Sequence, residues 1–204
     1  MPKITLISIQ QNNKAKCNLF IDNEFFAGVT LESVLKYRLK VGQEVDTETL
    51  KELLVDSDKE QALNKAVAYV SKALKTKRQV KDYLLRKGYS EDVIWYCIDK
   101  LKEYSYIDDK EYSKRYIEST SKNQGQRLVE YKLMAKGVKK DDISFAYDNC
   151  EIDANENAKN VASKYLKNKE MTKENIAKTY RYLIGRGFSY EQADYAIKNF
   201  EKDD

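Results

Sequence analysis

Two adjacent carboxylates, Asp108 and Asp109, are the most obvious side chains in the sequence that could perform acid–base or metal chemistry. They lie at the start of a predicted helix, where the positive end of the helix dipole stabilises negative charge. Histidine, the commonest general base and transition-metal ligand, is absent from the chain. No glycine-rich phosphate loop, nucleophile motif or metal-ligand spacing is present. We therefore interpret the pair as a helix cap, and predict a protein that is not an enzyme and has no catalytic residue, metal or cofactor.

Basic side chains offer a second kind of chemistry. Clustered positive charge can bind phosphates or an acidic protein groove, and it can equally form a solvated helix face. The single tryptophan, Trp95, is either partly buried or exposed as a binding hot spot. The residues that we consider as candidates for binding a partner protein or DNA are Lys72, Lys75, Lys77, Arg78, Lys81, Arg86, Lys87, Trp95, Arg115, Arg127, Lys132 and Lys136.

The elements that position these side chains are repeated. Gly88, Gly137 and Gly187 each follow a basic residue and are 49 (137 − 88) and 50 (187 − 137) residues apart, which indicates a tandem array. Each stands where a left-handed residue would end a helix, a conformation that glycine adopts without strain. Gly125 lies outside this register, in a polar connection, where a glycine allows either a close backbone approach or a simple turn.

The hydrophobic periodicity predicts a mostly α fold. Alternating residues before position 30 indicate a small three-stranded sheet, followed by short helices at 31–38 and 47–54. The later period of about 3.6 predicts three tandem three-helix repeats in a curved elongated array. Ser57, Thr76 and Ser189 begin capping-box patterns that mark helix starts. The predicted domains are a small α+β domain at 1–56 and three-helix repeats at 57–106, 107–150 and 151–204.

The cysteines and the hydropathy pattern indicate the compartment. Cys17, Cys97 and Cys150 are odd in number and form no CxxC pair, so we predict reduced core residues. No apolar run approaches the length of a membrane span, and the N-terminus lacks the zones of a signal peptide. We expect a cytoplasmic protein that does not bind membranes.

The middle of the chain resembles the RecX family of recombination regulators. The resemblance is carried by the stretch from Tyr106 to Tyr116, with its Ile-Asp-Asp helix start, by Gly125, and by the Leu-x-x-Lys-Gly-Val ending at Leu133 to Val138. It extends over the helical region from Leu63 to Phe200, and the N-terminal segment is similar to the β-rich domain of the longer members.

The resemblance implies a regulatory protein, expected to be monomeric, that takes part in recombination regulation, DNA repair and the SOS response. It implies binding to the RecA recombinase filament and inhibition of its ATPase, filament growth and strand exchange. Single- or double-stranded DNA is a second expected partner. Two other functions remain open, a direct DNA-binding module and a generic α-helical protein-interaction scaffold. We expect that replacing Lys77, Arg78 and Lys81 together by glutamate abolishes inhibition without unfolding the protein.

Overall fold

The computed structural model describes residues 1–199. The described chain is a three-stranded sheet followed by ten helices, which confirms the predicted mostly α fold class. The strands are β1 (Ile4–Ile9), β2 (Lys16–Ile21) and β3 (Glu24–Thr30). The helices are α1 (Leu31–Lys36), α2 (Thr47–Val70), α3 (Lys77–Arg86), α4 (Glu91–Glu103), α5 (Asp109–Thr120), α6 (Gln126–Ala135), α7 (Lys140–Asp148), α8 (Ala154–Leu166), α9 (Lys173–Gly185) and α10 (Tyr190–Lys198).

The sheet is antiparallel in the order β1-β2-β3. Asp22 and Asn23 form the tight turn between β2 and β3 with φ of 50° and 68°, a left-handed conformation that Asp and Asn tolerate better than most residues. Leu19 and Ile21 point from β2 into a core that also contains Leu50 and Leu53 from α2. The sheet is therefore packed against α2.

The helix α2 differs from the prediction. One helix was expected to end at residue 54 and the next to start at Ser57, but α2 runs without a break through all 24 residues from Thr47 to Val70. The predicted helix end at residue 54 and the predicted helix start at Ser57 are therefore wrong. The sequence contains no glycine or proline within these 24 residues to interrupt the hydrogen bonds of the helix.

The polar residues that suggested a helix start bind another helix instead. The Ser57 hydroxyl oxygen is buried and accepts a hydrogen bond from the Thr30 N–H at 3.0 Å. The Glu60 carboxylate accepts from the hydroxyls of Thr30 and Ser33. Thr30 is the N-cap of α1, so Ser57 and Glu60 satisfy polar groups at the start of α1.

The described chain divides into two compact units. The first contains Met1–Leu74 and Val80–Tyr106, and the second contains Lys75–Gln79 and the chain from Ile107 onward. The first turn of α3 is therefore part of the second unit, although the rest of that helix is in the first. The finer division at residues 56, 106 and 150 stays a prediction.

The middle helix of each repeat ends at the expected glycine. Gly88, Gly137 and Gly187 have φ of 83°, 85° and 89°, and they end α3, α6 and α9, the middle helices of the three repeats. The second repeat buries Ile117, Val129 and Leu133 among other residues, and the third buries mainly alanines together with Leu183 and Phe188.

The cysteines behave as core residues. Cys17 and Cys97 are buried, Cys150 is half-buried, and all three are free thiols. Burial raises the pKa of the Cys97 thiol to about 11, which disfavours the reactive thiolate. No helix within residues 1–199 is long and apolar enough to cross a membrane.

Candidate functional site

The basic candidates in the first unit lie along α3 and in the turn before it. Lys72 is exposed after the end of α2. The Arg86 Nε donates to the Asp82 carbonyl at 3.2 Å, and the Lys87 Nζ lies 5.7 Å from the centre of the Tyr83 ring. These contacts hold the long side chains near their own helix while their charged ends remain in water.

Trp95 and Lys81 form a compact cation and ring pair in the first unit. The Lys81 Nζ lies 5.0 Å from the centre of the indole and 3.2 Å from the Glu91 Oε1. The indole is 39% exposed, so one part of its surface packs against the protein and another part is available to a ligand. The indole is thus partly buried, and its role as a binding hot spot stays a prediction.

The basic candidates in the second unit include a structural group at the start of α3. The Thr76 Oγ1 donates a hydrogen bond to the Lys136 carbonyl at 2.7 Å. A Cβ atom on Gly137 would lie 2.2 Å from the Arg78 Cδ and 2.4 Å from the Arg78 Cβ, so only glycine fits beneath this side chain. We call this contact between Thr76–Arg78 and the Lys136–Gly137 turn the first joint.

A half-buried carboxylate completes the first joint. The Asp109 Oδ1 accepts from the Lys77 backbone N–H at 2.9 Å, at the N-terminus of α3. Burial raises the pKa of the Asp109 carboxyl, the Lys77 N–H opposes this by binding the charged form, and the Asp142 carboxylate raises it further. Asp108 caps its own helix by accepting from the N–H groups of Lys110 and Glu111. The two carboxylates therefore cap two different helices.

The same contact recurs fifty residues further along the chain. Gly125 is the N-cap of α6, and its N–H donates to the Arg186 carbonyl at 2.9 Å. A Cβ atom on Gly187 would lie 2.5 Å from both the Cβ and the backbone nitrogen of Leu128, and one on Gly125 would lie 2.3 Å from the Gly187 backbone. We call this contact between Gly125–Leu128 and the Arg186–Gly187 turn the second joint.

The two joints share one rule. In each, the start of a middle helix contacts the carbonyl of the basic residue that precedes the glycine of the next repeat. Thr76 and Gly125 both stand twelve residues before their own repeat glycine (88 − 76 and 137 − 125), so the joints are equivalent positions in the repeat. Sequence reasoning missed the joints, although the unexplained Gly125 was a signal of a close backbone approach.

The remaining candidates of the second unit are peripheral. The Arg115 Nε forms an ion pair with the Glu111 Oε1 at 2.6 Å on the same helix, and the Lys132 Nζ donates to the Gln124 Oε1 at 2.8 Å. Arg127 is exposed, and Lys75 is half-buried. The Lys136 Nζ lies 5.7 Å from the centre of the Tyr116 ring. Within the second unit the structure thus brings together Lys77, Arg78 and Lys136, and the other candidates take no part in the first joint.

Family models match three segments of the chain. The family model described as "Regulatory protein RecX N-terminal domain" matches residues 2–46. The models described as "RecX, first three-helix domain" and "RecX, third three-helix domain" match residues 62–101 and 151–197.

Similar curated proteins and solved structures carry the same name. A regulatory protein RecX of Clostridium botulinum (strain Alaska E43 / Type E3) is 34% identical, over 98% of this chain and 99% of the relative. One of Clostridium tetani (strain Massachusetts / E88) is 35% identical, over 93% and 90%. A crystal structure of regulatory protein RecX superposes with a TM-score of 0.76 at 21% identity, over 98% of this chain and 100% of that one. The crystal structure of RecX from Lactobacillus salivarius has a TM-score of 0.63 at 25% identity, over 69% and 95%.

The matching segments include the N-terminal sheet and the first and third repeats, and the two Clostridium relatives match nearly the whole chain. The chain therefore belongs to the RecX family of regulatory proteins.

Proposed function

We propose that this chain binds the RecA recombinase filament and inhibits its ATPase, filament growth and strand exchange. The observation that carries the proposal is the similarity to regulatory RecX proteins along nearly the full length of the chain. The exposed basic side chains on α3, α5 and α6 support it, because they can contact acidic protein surface or DNA phosphates. Such a regulator acts through shape and charge and needs no catalytic group.

The joints decide which charges can be replaced in a test. Substituting glutamate at Lys77, Arg78 and Lys81 together should change binding and folding at once, contrary to the expectation from the sequence, because the Arg78 stem covers Gly137 and the Lys77 charge stabilises the Asp109 carboxylate. Arg78→Met is the better variant, since it removes the charge and keeps an aliphatic stem over the glycine.

The ATPase of RecA on single-stranded DNA, titrated with this chain, tests the proposal. Wild-type protein should lower the steady-state rate, and the paired variants Lys72→Glu/Lys87→Glu and Arg115→Glu/Arg127→Glu should each need a several-fold higher concentration for the same inhibition. The matched control is Lys102→Glu/Lys164→Glu, which makes the same change in net charge at exposed lysines outside the candidate set.

Two results would count against the proposal. An ATPase rate that does not change with wild-type protein would refute it. Equal losses of inhibition in the candidate and control pairs would show that net charge alone is responsible, and would remove the assignment to these side chains.

Direct DNA binding is the second candidate function, and the geometry of Trp95 favours it. An indole that is 39% exposed, with a lysine ammonium 5.0 Å from its centre, can stack a base while the ammonium meets a phosphate. Because Trp95 is the only tryptophan, its fluorescence reports on this position alone. Single-stranded DNA should quench the emission, and the effect should fall steeply with added salt. Unchanged emission at low salt would exclude a base stacked on this ring.

A further inference from the structure

The two joints define what a repeat glycine turn can bind. In both, the start of a middle helix occupies the space above the glycine and donates a hydrogen bond to the carbonyl before it. The donor is a threonine hydroxyl in the first joint and a backbone N–H in the second. The partner of a glycine turn is therefore a helix N-terminus with a small or hydroxyl-bearing cap.

The electrostatics of the joints explain why a helix start is the preferred occupant. The glycine turns follow the C-terminal ends of α6 and α9, where carbonyl groups give a partial negative charge. The occupants are the N-terminal ends of α3 and α6, where N–H groups give a partial positive charge. Each joint thus brings the positive end of one helix dipole to the negative end of another.

The glycine turn of the first repeat has the same conformation, and its surface is open. Gly88 has φ of 83°, close to the 85° and 89° of the other two glycines. A Cβ atom on Gly88 would meet no atom within 4 Å, in contrast with 2.2 Å at Gly137 and 2.5 Å at Gly187. Lys87 and Gly88 are both exposed. The turn at Lys87–Gly88 is therefore a third docking surface of the same kind, without an occupant among residues 1–199.

The start of α9 has the features of an occupant. Thr172 is its N-cap, and the Thr172 Oγ1 accepts from the Asn175 N–H at 3.2 Å. The Thr76 Oγ1 accepts from the Gln79 N–H at the same distance of 3.2 Å while it donates to a glycine turn. Thr172 is exposed, so its hydroxyl can donate in the same way. α9 has 13 residues, which is long enough for a helix dipole at its N-terminus.

Charged side chains add little to the contact. The first turn of α9 contains Lys173 and Glu174, and the Glu174 Oε1 is paired with the Lys178 Nζ at 2.7 Å. The last turn of α3 contains Arg86, followed by Lys87. The attraction between the two helix ends therefore comes from their dipoles and from the hydroxyl donor.

We propose that the start of α9 in one copy of this chain binds the Lys87–Gly88 turn of a second copy. The Thr172 hydroxyl then donates to the Lys87 carbonyl, as Thr76 does to Lys136, and the copies associate head to tail. Such a contact uses different surfaces on the two copies, so it can continue beyond a dimer. A contact limited to one helix start and one turn is small and belongs to the weak, transient class. The monomer expected from the sequence is thus the state at low concentration. The inference is independent of the proposed function.

Sedimentation equilibrium of the full chain, at concentrations up to about 1 mM to suit a weak interface, tests the proposal. The weight-average mass of the wild type should rise above the monomer mass of 23.8 kDa as the concentration increases. Gly88→Asn should keep the monomer mass, because asparagine tolerates the left-handed conformation while its Cβ atom fills the space above the turn. Thr172→Val, which removes the hydroxyl donor, should reduce the association constant several-fold.

The matched control is Gly42→Asn. Gly42 has φ of 90° and open space around its Cβ position, so the substitution carries the same conformational change at a turn outside the repeats. This variant should associate like the wild type, and circular dichroism should show that all variants are folded. A wild-type mass of 23.8 kDa at every concentration would overturn the proposal. Association of Gly88→Asn equal to that of the wild type, or no effect of Thr172→Val, would overturn it as well.

Discussion

Gly125 provides the sharpest test of the joints, because its neighbour in space is backbone. The φ of Gly125 is −74°, so alanine adds no conformational strain there. The added Cβ atom would lie 2.3 Å from the C and O atoms of Gly187 and from the N atom of Phe188. Since carbon atoms pack at about 3.5 to 4.0 Å, the two backbones must separate by about 1.2 Å or more.

The energetic effect of Gly125→Ala has two parts. A separation of that size lengthens the 2.9 Å hydrogen bond from the Gly125 N–H to the Arg186 carbonyl beyond its normal range. Its loss reduces the free energy of unfolding by about 0.5 to 1.5 kcal/mol, and forced overpacking reduces it by about 1 to 3 kcal/mol. We therefore expect a destabilisation of about 1.5 to 4.5 kcal/mol in total.

Gly185→Ala is the matched control, and the opposite sign is expected. Gly185 lies in α9, and a Cβ atom there would meet nothing within 4 Å. Replacing glycine by alanine in an open helical position stabilises by about 0.5 to 1 kcal/mol. In thermal melts followed by circular dichroism, Gly125→Ala should melt about 3 °C or more below the wild type and Gly185→Ala at or above it. Equal or higher stability of Gly125→Ala would refute the close approach that defines the second joint.

Two other experiments follow from the first joint and its neighbours. Gly137→Asn and Gly88→Asn share the left-handed strain, but only the first places a Cβ atom 2.4 Å from the Arg78 Cβ. In urea unfolding, Gly137→Asn should therefore be less stable than Gly88→Asn by about 1 to 3 kcal/mol. Equal stabilities of the two variants would contradict the contact. The raised pKa of Asp109 predicts that its contribution to stability decreases as pH rises from its unfolded pKa through its higher folded pKa, because the folded state retains the proton longer. Asp109→Asn removes this titration. The free energy of unfolding of the wild type, compared with that of Asp109→Asn from pH 3 to pH 7, should therefore decrease as pH rises. A difference that does not depend on pH would contradict the partial burial of the carboxyl.

The sequence was sufficient for the repeats because their signals are local. Gly88, Gly137 and Gly187 end helices for a conformational reason that acts within one turn, and the capping boxes at Thr76 and Ser189 are present as predicted. Local patterns also explain the error at Ser57. A serine three residues before a glutamate fits a helix start, and only the folded chain shows that both side chains bind α1 from the middle of α2.

The two joints could not be predicted from the sequence, because they are contacts between distant residues. Thr76 and Lys136 are 60 residues apart, and their contact depends on how two repeats pack. Arg78 was considered only as a charge for a partner, whereas its stem covers Gly137. Charge is visible in a sequence, but the surface on which an arginine stem lies is not.

The unbroken α2 has a practical consequence for anyone who wishes to dissect this protein. At 1.5 Å per residue the 24 residues form a helix about 36 Å long. Leu50 and Leu53 near one end belong to the core of the sheet, and Ala62 and Ala66 are buried farther along. A fragment that begins at residue 57 cuts α2 in the middle, and one that begins at residue 47 exposes Leu50 and Leu53 to solvent. Deletion mapping should therefore keep the sheet and the whole of α2 in one fragment.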